Sequence, residues 1–152
     1  MSAHQFNKIG IIGLGLIGGS IAALIRKQYP KVQLIGFDQE KSASKCAFEK
    51  GYITTDIEDW ALFPEDCELI IICTPLSTIP GWVKKSSDKT KGNVIISDVG
   101  SVKKVICDQV RYLQLPKNHI FIGGHPMGGS EKTGIEYADE SLLQDRPYVL
   151  IE

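Results

Sequence analysis

The chain lacks the features that mark membrane-spanning, secreted and nucleic-acid-binding proteins. No apolar run comes near the roughly 18 residues that a membrane-spanning helix requires. The formal net charge is −1, so no basic surplus is present to bind nucleic acid or an anionic membrane. The N-terminal MSAHQFNK has no basic segment followed by an apolar one, and we therefore expect no secretory signal.

Cysteine is present but follows no disulfide or zinc-binding pattern, because no two of the four cysteines form a CxxC pair. We expect reduced thiols with structural roles in a cytoplasmic protein, and no metal site. The four are Cys46, Cys67, Cys73 and Cys107. Hydrophobic residues make up 43% of the chain and charged residues 23%, which predicts one globular domain over residues 1–152.

Short apolar runs alternate with amphipathic stretches along the whole chain. Continuous apolar strands separated by helices predict a mostly parallel sheet covered on both faces, which is a doubly wound α/β fold. A polar loop is expected over residues 86–92. The predicted strands are 7–12, 32–37, 68–73, 93–97, 120–122 and 148–151, and the predicted helices are 16–28, 41–50, 76–86 and 102–113.

The sequence GLGLIG follows the first predicted strand and opens the first predicted helix. In such a turn Gly13 permits the tight bend, Gly15 lets a pyrophosphate approach the backbone, and Gly18 lets the helix pack close to the strand. Leu16 and Ile17 complete the motif at the helix N-terminus, where free N–H groups and the positive dipole end suit phosphates. The strand–turn–helix context predicts a dinucleotide site rather than a turn without a ligand.

Asp38 stands at the end of the second predicted strand, twenty residues after the last glycine of the motif. A carboxylate there accepts hydrogen bonds from the adenosine ribose hydroxyls and repels a 2′-phosphate. The neighbouring Gln39 and Glu40 supply no arginine, although Lys41 is a nearby cation. We therefore predict NAD as the cofactor in preference to NADP.

Polar residues follow the later predicted strands, beyond whose C-terminal ends ligands bind in doubly wound sheets. Thr74 and Pro75 end one strand, and both are candidate cofactor contacts. Ser101 follows the next strand and is expected to cap the following helix while still facing a ligand. His125 comes after the strand that follows. We expect these residues and the glycine turn to share one rim.

The segment GGHPMGGSEKTG, residues 123–134, carries the candidate acid–base group. His125 lies between a glycine pair and Pro126, and Ser130 and Glu131 follow. Histidine is the side chain whose unperturbed pKa lies closest to neutral pH, and proline fixes a backbone dihedral beside it. The segment is therefore a candidate for proton transfer, and the alternative is a tight loop with a solvated histidine.

Three segments together resemble the prephenate dehydrogenases and the related arogenate and cyclohexadienyl dehydrogenases. They are GLGLIGGS at 13–20, DVGSVK at 98–103 and GGHPMGGSEKTGIE at 123–136, and PYVL at 147–150 is similar to the end of the family's cofactor domain. The resemblance implies a Rossmann-type NAD-binding domain. Gly128 departs from it, because the family commonly has alanine there, and we expect only a small change in loop stiffness.

The resemblance also implies a reaction, in which NAD⁺ oxidises prephenate to 4-hydroxyphenylpyruvate, CO₂ and NADH in tyrosine biosynthesis. His125 would hydrogen-bond the ring hydroxyl and assist its deprotonation. Ser101 is similar to the serine that orients the histidine, the hydroxyl and the nicotinamide. Ser130 and Glu131 resemble residues at the entrance of the substrate pocket, with Glu131 as a gate or orienting group.

The family carries a second, all-helical domain that forms the homodimer and supplies basic residues to the substrate's carboxylates. Nothing resembling it is present, so we expect these residues to bind NAD and to turn prephenate over poorly. Three alternatives stay open: arogenate as the substrate, another Rossmann dehydrogenase of hydroxy acids or imines, and an NAD-binding module without catalysis. The HPMxGSE loop argues against the second, and the presence of both Ser101 and His125 argues against the third.

Overall fold

A computed structural model describes residues 6–151. The N-terminal segment from which no secretory signal is expected, and the two ends of the predicted 1–152 domain, therefore lie partly outside the described residues. The strands are β1 Lys8–Ile12, β2 Gln33–Phe37, β3 Thr55–Ile57, β4 Leu69–Ile72, β5 Val94–Asp98, β6 His119–Pro126 and β7 Tyr148–Ile151. The α-helices are α1 Leu16–Gln28, α2 Lys41–Glu49, α3 Ile79–Lys89 and α4 Lys103–Arg111. Short 3₁₀ helices span Trp60–Leu62, Leu76–Thr78, Ile135–Tyr137 and Glu140–Leu142.

The strands form one sheet in the order β3-β2-β1-β4-β5-β6-β7. All neighbours are parallel except β6 and β7, which run antiparallel. This order confirms the predicted doubly wound, mostly parallel α/β fold. From β1 the chain first adds strands on one side of the sheet, β2 and β3, and then on the other side, beginning with β4. A ligand crevice is expected at such a switch point, beyond the C-terminal ends of the strands.

Both faces of the sheet are buried, which explains the continuous apolar runs. Successive residues of β1 point to opposite faces: Ile11 belongs to the core under α1 and α2, and Ile12 to the core under α3 and α4. Ile70 and Ile71 divide in the same way in β4. Helices on both faces thus leave only the sheet edges and strand ends for binding. None of the helices within residues 6–151 has the length and apolar character needed to cross a membrane.

Two elements near the middle of the chain differ from the predictions. Strand β3 was not predicted, because Thr55 and Asp56 interrupt any apolar run and only Ile57 is buried. Helix α3 begins at Ile79 rather than at residue 76, after a 3₁₀ turn, and it continues to Lys89. The predicted polar loop at 86–92 is therefore helical in its first half, because Ser86 and Ser87 are buried there.

Two further predictions, about Ser101 and His125, are corrected at the end of the sheet that carries the candidate chemistry. Ser101 does not cap a helix: α4 begins at Lys103 after Val102, and no side chain caps it. His125 does not lie in a loop, because β6 extends through Pro126. The extension has a long-range cause, since β7 pairs with the second half of β6 and prolongs it.

The cysteines are all free thiols. Burial raises the pKa of Cys67 to about 12, and burial with the nearby Asp98 charge raises the pKa of Cys73. Both thiols therefore stay protonated and unreactive near neutral pH, since the thiolate is the nucleophile.

Candidate cofactor-binding and active site

The glycine turn between β1 and α1 has the close packing that its sequence predicts. Gly13 has a φ of +88°, a conformation that side chains rarely tolerate, and its N–H donates to the carbonyl of Phe37 at 2.8 Å. A Cβ on Gly18 would overlap the carbonyl oxygen of Gly13, so α1 can approach β1 only because this residue is glycine. A Cβ on Gly15 would meet no heavy atom within 4 Å. The space above Gly15 is open to a ligand.

The N-terminus of α1 adjoins that open space. Helix α1 begins at Leu16 after Gly15, and its first turn has neither a side-chain cap nor an acidic residue. The first N–H groups of a helix have no partner inside the helix, and an anion satisfies them well. The residues of the turn thus fit the phosphates of a dinucleotide.

Asp38 lies at the C-terminal end of β2 and is bonded to the glycine turn. Its Oδ2 accepts the N–H of Leu14 at 2.6 Å, and its Oδ1 accepts the N–H of Glu40 at 2.8 Å. Each carboxylate oxygen can accept more than one hydrogen bond, so capacity for ribose hydroxyls remains. The sequence predicted the position of this carboxylate but not its bond to the turn.

A cavity of about 260 Å³ lies between the glycine turn, Asp38 and the end of β4. Its lining includes Gly13, Gly15, Asp38, Thr74, Pro75 and Trp82. The hydroxyl of Thr78 lies 2.7 Å from the carbonyl of Pro75 and 2.9 Å from the hydroxyl of Thr74, which fixes the segment after β4. The structure thus brings the predicted residues of β1, β2 and β4 together at one rim.

His125 lies near the end of β6, with its imidazole half-buried. Its Nδ1 is 3.4 Å from the carbonyl oxygen of Val99, which follows β5. A carbonyl oxygen only accepts, so the tautomer that satisfies this contact has its proton on Nδ1, and in that tautomer Nε2 has a lone pair. This tautomer lets Nε2 accept a proton from a ligand. The Val99 carbonyl was not predicted, because no sequence pattern shows which backbone oxygen a side chain will reach.

Ser101 is exposed in the turn between β5 and α4, in the same segment as the carbonyl that holds His125. Because the helix starts later than expected, the Ser101 hydroxyl is not used as a cap. Ser130 and Glu131 lie in an exposed segment beyond β6, where the Ser130 Oγ accepts the N–H of Lys132 at 3.1 Å. The structure therefore brings Ser101 and His125 to one edge and places Ser130 and Glu131 on the surface loop that follows.

A buried charged group behind His125 was also not predicted as part of the site. Asp98 is 0% exposed at the end of β5 and forms an ion pair with Lys103. The phenol of Tyr148, whose pKa is raised by burial, lies 3.4 Å from the backbone carbonyl of Asp98. The signal was present in the sequence as the Asp and Lys of DVGSVK. Across residues 6–151, no three His, Cys, Asp or Glu side chains cluster in a way that could hold a metal ion.

The family model described as the nucleotide-binding domain of prephenate dehydrogenase matches residues 21–152. The chain belongs to the prephenate dehydrogenase family. The match begins after the glycine turn, so the turn supports a nucleotide site independently, through its own geometry.

Relatives and solved structures agree with this membership. A prephenate dehydrogenase of Lactococcus lactis is 37% identical over 95% of the chain. The fold matches a Synechocystis arogenate dehydrogenase with a TM-score of 0.83 and 35% identity over 94% of the chain. It also matches, at a TM-score of 0.87 and 27% identity over 99% of the chain, a prephenate dehydrogenase from A. aeolicus in complex with hydroxyphenyl propionate and NAD⁺.

The chain spans about half the length of these proteins. It covers 41% of the L. lactis protein, 49% of the Synechocystis chain and 51% of the A. aeolicus chain. What the described residues represent is therefore the nucleotide-binding part of the family's architecture.

Proposed function

We propose that the chain is the NAD-binding domain of a dehydrogenase that oxidises prephenate to 4-hydroxyphenylpyruvate. One observation carries the proposal: His125, with its Nδ1 directed at the Val99 carbonyl, lies at the same edge of the sheet as the glycine turn and Asp38. A cofactor stretched along that edge would have its phosphates at the turn and its reactive ring toward the imidazole. Family membership supplies the substrate class, since relatives are named for prephenate.

The fit of a dinucleotide rests on three features of this chain. The space at Gly15 is open, the first turn of α1 carries no competing carboxylate, and the carboxylate of Asp38 faces the adjoining cavity. When bound, NAD⁺ supplies the acceptor for the hydride that leaves the hydroxyl-bearing ring carbon. We propose that the phosphates are held by the glycine turn and the start of α1, which comprise Gly13, Gly15, Leu16, Ile17 and Gly18. The remaining path of the cofactor is lined by Thr74, Pro75 and Ser101.

The preference for NAD over NADP follows from charge. Asp38 would repel a 2′-phosphate, and its bonds to the Leu14 and Glu40 N–H groups fix it in place. The nearby cation, Lys41, lies 3.5 Å from the carboxylate of Glu58 on the exposed surface. Calorimetric titration with both cofactors tests the assignment: we expect tighter NAD⁺ binding, and tighter NADP⁺ binding would refute the role given to Asp38.

In the proposed reaction His125 acts as the general base. Its Nε2 takes the proton of the substrate's ring hydroxyl, while its Nδ1 keeps the bond to the Val99 carbonyl. The ring carboxylate then leaves as CO₂, and its bonding electron pair makes the ring aromatic with a phenolate oxygen. The proton held on Nε2 returns to that oxygen, which gives the phenol of the product. Ser101 orients the hydroxyl from the neighbouring turn, and Ser130 and Glu131 border the entrance of the substrate pocket. A positioned base of this kind contributes about 10²- to 10⁴-fold to the rate.

The second candidate substrate is arogenate, which is favoured by the 35% identity to an arogenate dehydrogenase. Both substrates present the same ring hydroxyl and carboxylate, so the roles of His125 and Ser101 would not change. Turnover of each substrate, followed as NADH formation, distinguishes them.

The catalytic role is tested by His125→Asn in a form of the protein that carries the family's helical domain. We expect kcat/KM to fall by about 10²- to 10⁴-fold, with the Kd for NAD⁺ unchanged. Thr133→Ala, in the exposed loop that follows, is the matched control and should leave both unchanged. Unchanged turnover in His125→Asn would refute the role given to His125, whereas absence of turnover in the wild type would favour a nucleotide-binding module without catalysis.

We include the helical domain because the family resemblance implies that it supplies the basic residues that bind the carboxylates of the substrate. We propose that it also forms a homodimer, as the family likeness implies. We expect the 152-residue chain to bind NAD⁺ and to oxidise prephenate poorly, and efficient turnover by this chain would contradict that part of the proposal.

A further inference from the structure

A buried ion pair lies directly behind the candidate acid–base residues. The carboxylate of Asp98, at the end of β5, is completely buried, and Lys103, the first residue of α4, is 9% exposed. A buried charge is costly unless it is paired and hydrogen-bonded. The ammonium of Lys103 therefore compensates a carboxylate that has no access to solvent.

The same carboxylate ties together the two segments that carry Ser101 and His125. Its Oδ2 accepts the N–H of Gly100 at 2.8 Å as well as the Lys103 ammonium, and its Oδ1 accepts the N–H of Gly124 at 3.2 Å. Gly100 directly precedes Ser101, and Gly124 directly precedes His125. One side chain thus bonds the backbone immediately before each candidate residue.

The glycine pair before His125 makes this arrangement sterically possible. A Cβ on Gly123 would come within 3.2 Å of the Lys103 Cδ, and one on Gly124 within 2.5 Å of the Asp98 carbonyl oxygen. The stem of the lysine and the backbone of the aspartate therefore occupy the space that two side chains of β6 would fill. The glycine pair is thus explained at Gly123 by the nearby stem of Lys103, and at Gly124 by the backbone of Asp98 and the ring of Tyr148.

We infer that Asp98 and Lys103 are positioning residues, which fix the Ser101 turn and the His125 segment relative to one another. Neither is a catalytic residue, because both point into the protein behind the site. The inference rests on the proposed function for its kinetic consequence. A displacement of about 1 Å at a reacting group can cost 10²-fold in rate, so loosening this pair should reduce turnover before it reduces binding.

The test uses Lys103→Met, which keeps the length of the stem and removes the charge. Lys104→Met is the matched control, because Lys104 is exposed and pairs with Asp108 on the surface. In the enzyme with its helical domain, we expect Lys103→Met to lower kcat about 100-fold, with KM for prephenate and Kd for NAD⁺ nearly unchanged. Equal losses in kcat for the two variants would overturn the inference.

A double-mutant cycle with Asp98→Asn separates positioning from general destabilisation. In the double variant Asp98→Asn, Lys103→Met, no uncompensated charge is buried. The loss of kcat caused by Lys103→Met should therefore be much smaller in the Asp98→Asn background than in the wild type. Purely additive losses would contradict a joint role. The double variant also keeps the test available if Lys103→Met alone does not fold.

A measurement that needs no turnover distinguishes this inference from the proposed function. In the 152-residue chain, the backbone amide signals of Gly124 and His125 should shift in Lys103→Met and stay in place in Lys104→Met. If they stay in place in both, the positioning role is wrong. If they shift while the wild-type enzyme oxidises neither prephenate nor arogenate, the proposed function fails and the structural link stands.

Discussion

The backbone N–H of Leu14 donates a hydrogen bond of 2.6 Å to the carboxylate of Asp38. The residue that we assign to the ribose therefore also closes the turn to which we assign the phosphates. The two parts of the proposed cofactor site are joined by this bond, and a change at Asp38 should affect both.

The first prediction concerns Asp38→Ala. We expect weaker NAD⁺ binding by about tenfold or more, because a charge-assisted hydrogen bond contributes about 1.5–3 kcal/mol and the turn also loses its anchor. The ratio of NADP⁺ to NAD⁺ affinity should rise, since the repulsive carboxylate is gone. Calorimetry with both cofactors measures the two effects. The control is Glu40→Gln, which neutralises a carboxylate close to Asp38. An equal loss of NAD⁺ affinity in that variant would contradict a specific role for Asp38.

The second prediction compares alanine at Gly18 and at Gly15. Gly18→Ala should lower the free energy of unfolding, because its Cβ would overlap the Gly13 carbonyl oxygen and force α1 away from β1. Gly15→Ala meets no protein atom, so unfolding should change little while NAD⁺ affinity falls. Urea unfolding and cofactor titration of both variants give the comparison. Unchanged NAD⁺ affinity in Gly15→Ala would show that the cofactor does not pass over this residue.

The sequence was most informative where structure depends on near neighbours. The apolar runs and the GLGLIG turn predicted the parallel strands and the cofactor edge, since both depend on local backbone geometry and on a sheet buried on two faces. Features that depend on distant partners were missed. Strand β3 has only one buried residue, Ile57, and is held by its pairing with β2.

The same distinction applies to the candidate site. The length of β6, and hence the place of His125 within a strand, depends on β7, which pairs with it from 148–151. The Ser101 cap was predicted from a general preference of serine before helices, but the Asp98 carboxylate takes the N–H of Gly100 and α4 starts only at Lys103. Residue types predicted which side chains form the candidate site, and long-range contacts determine how the structure arranges them.

The third prediction concerns Gly128, where the sequence resemblance implies alanine in the family and where we expected only a small change in loop stiffness. A Cβ there would lie 2.7 Å from the carbonyl oxygen of Leu142 and 2.9 Å from a methyl group of Leu143. Gly128→Ala should therefore displace the loop after β6 and lower stability by about 1–3 kcal/mol, more than a change in stiffness alone. Gly129→Ala is the matched control, because its Cβ would meet no atom within 4 Å. Equal stability of the two variants by urea unfolding would contradict this packing role.

The fourth prediction concerns pH and the buried His119, whose Nδ1 lies 2.8 Å from the hydroxyl of Ser87. Burial lowers the pKa of His119 below its ordinary value of 6.5, and a hydrogen bond to the backbone of Gly92 only partly opposes this. The unfolded chain therefore binds a proton more readily than the folded one. Stability from this residue is fully present above pH 6.5 and is lost as the pH falls below it, with a slope of at most about 1.4 kcal/mol per pH unit.

Urea unfolding at several pH values between 5 and 7 checks this effect of His119. The carboxylates whose pKa is lowered in the folded state lose their contributions to stability only below about pH 4.5, so their titration does not overlap with that of His119. His119→Asn should be less stable than the wild type at pH 7 and should show a flatter dependence on pH between 5 and 6.5. If wild type and variant lose stability in parallel as the pH falls, His119 is not the titrating group and its burial has no consequence for acid stability.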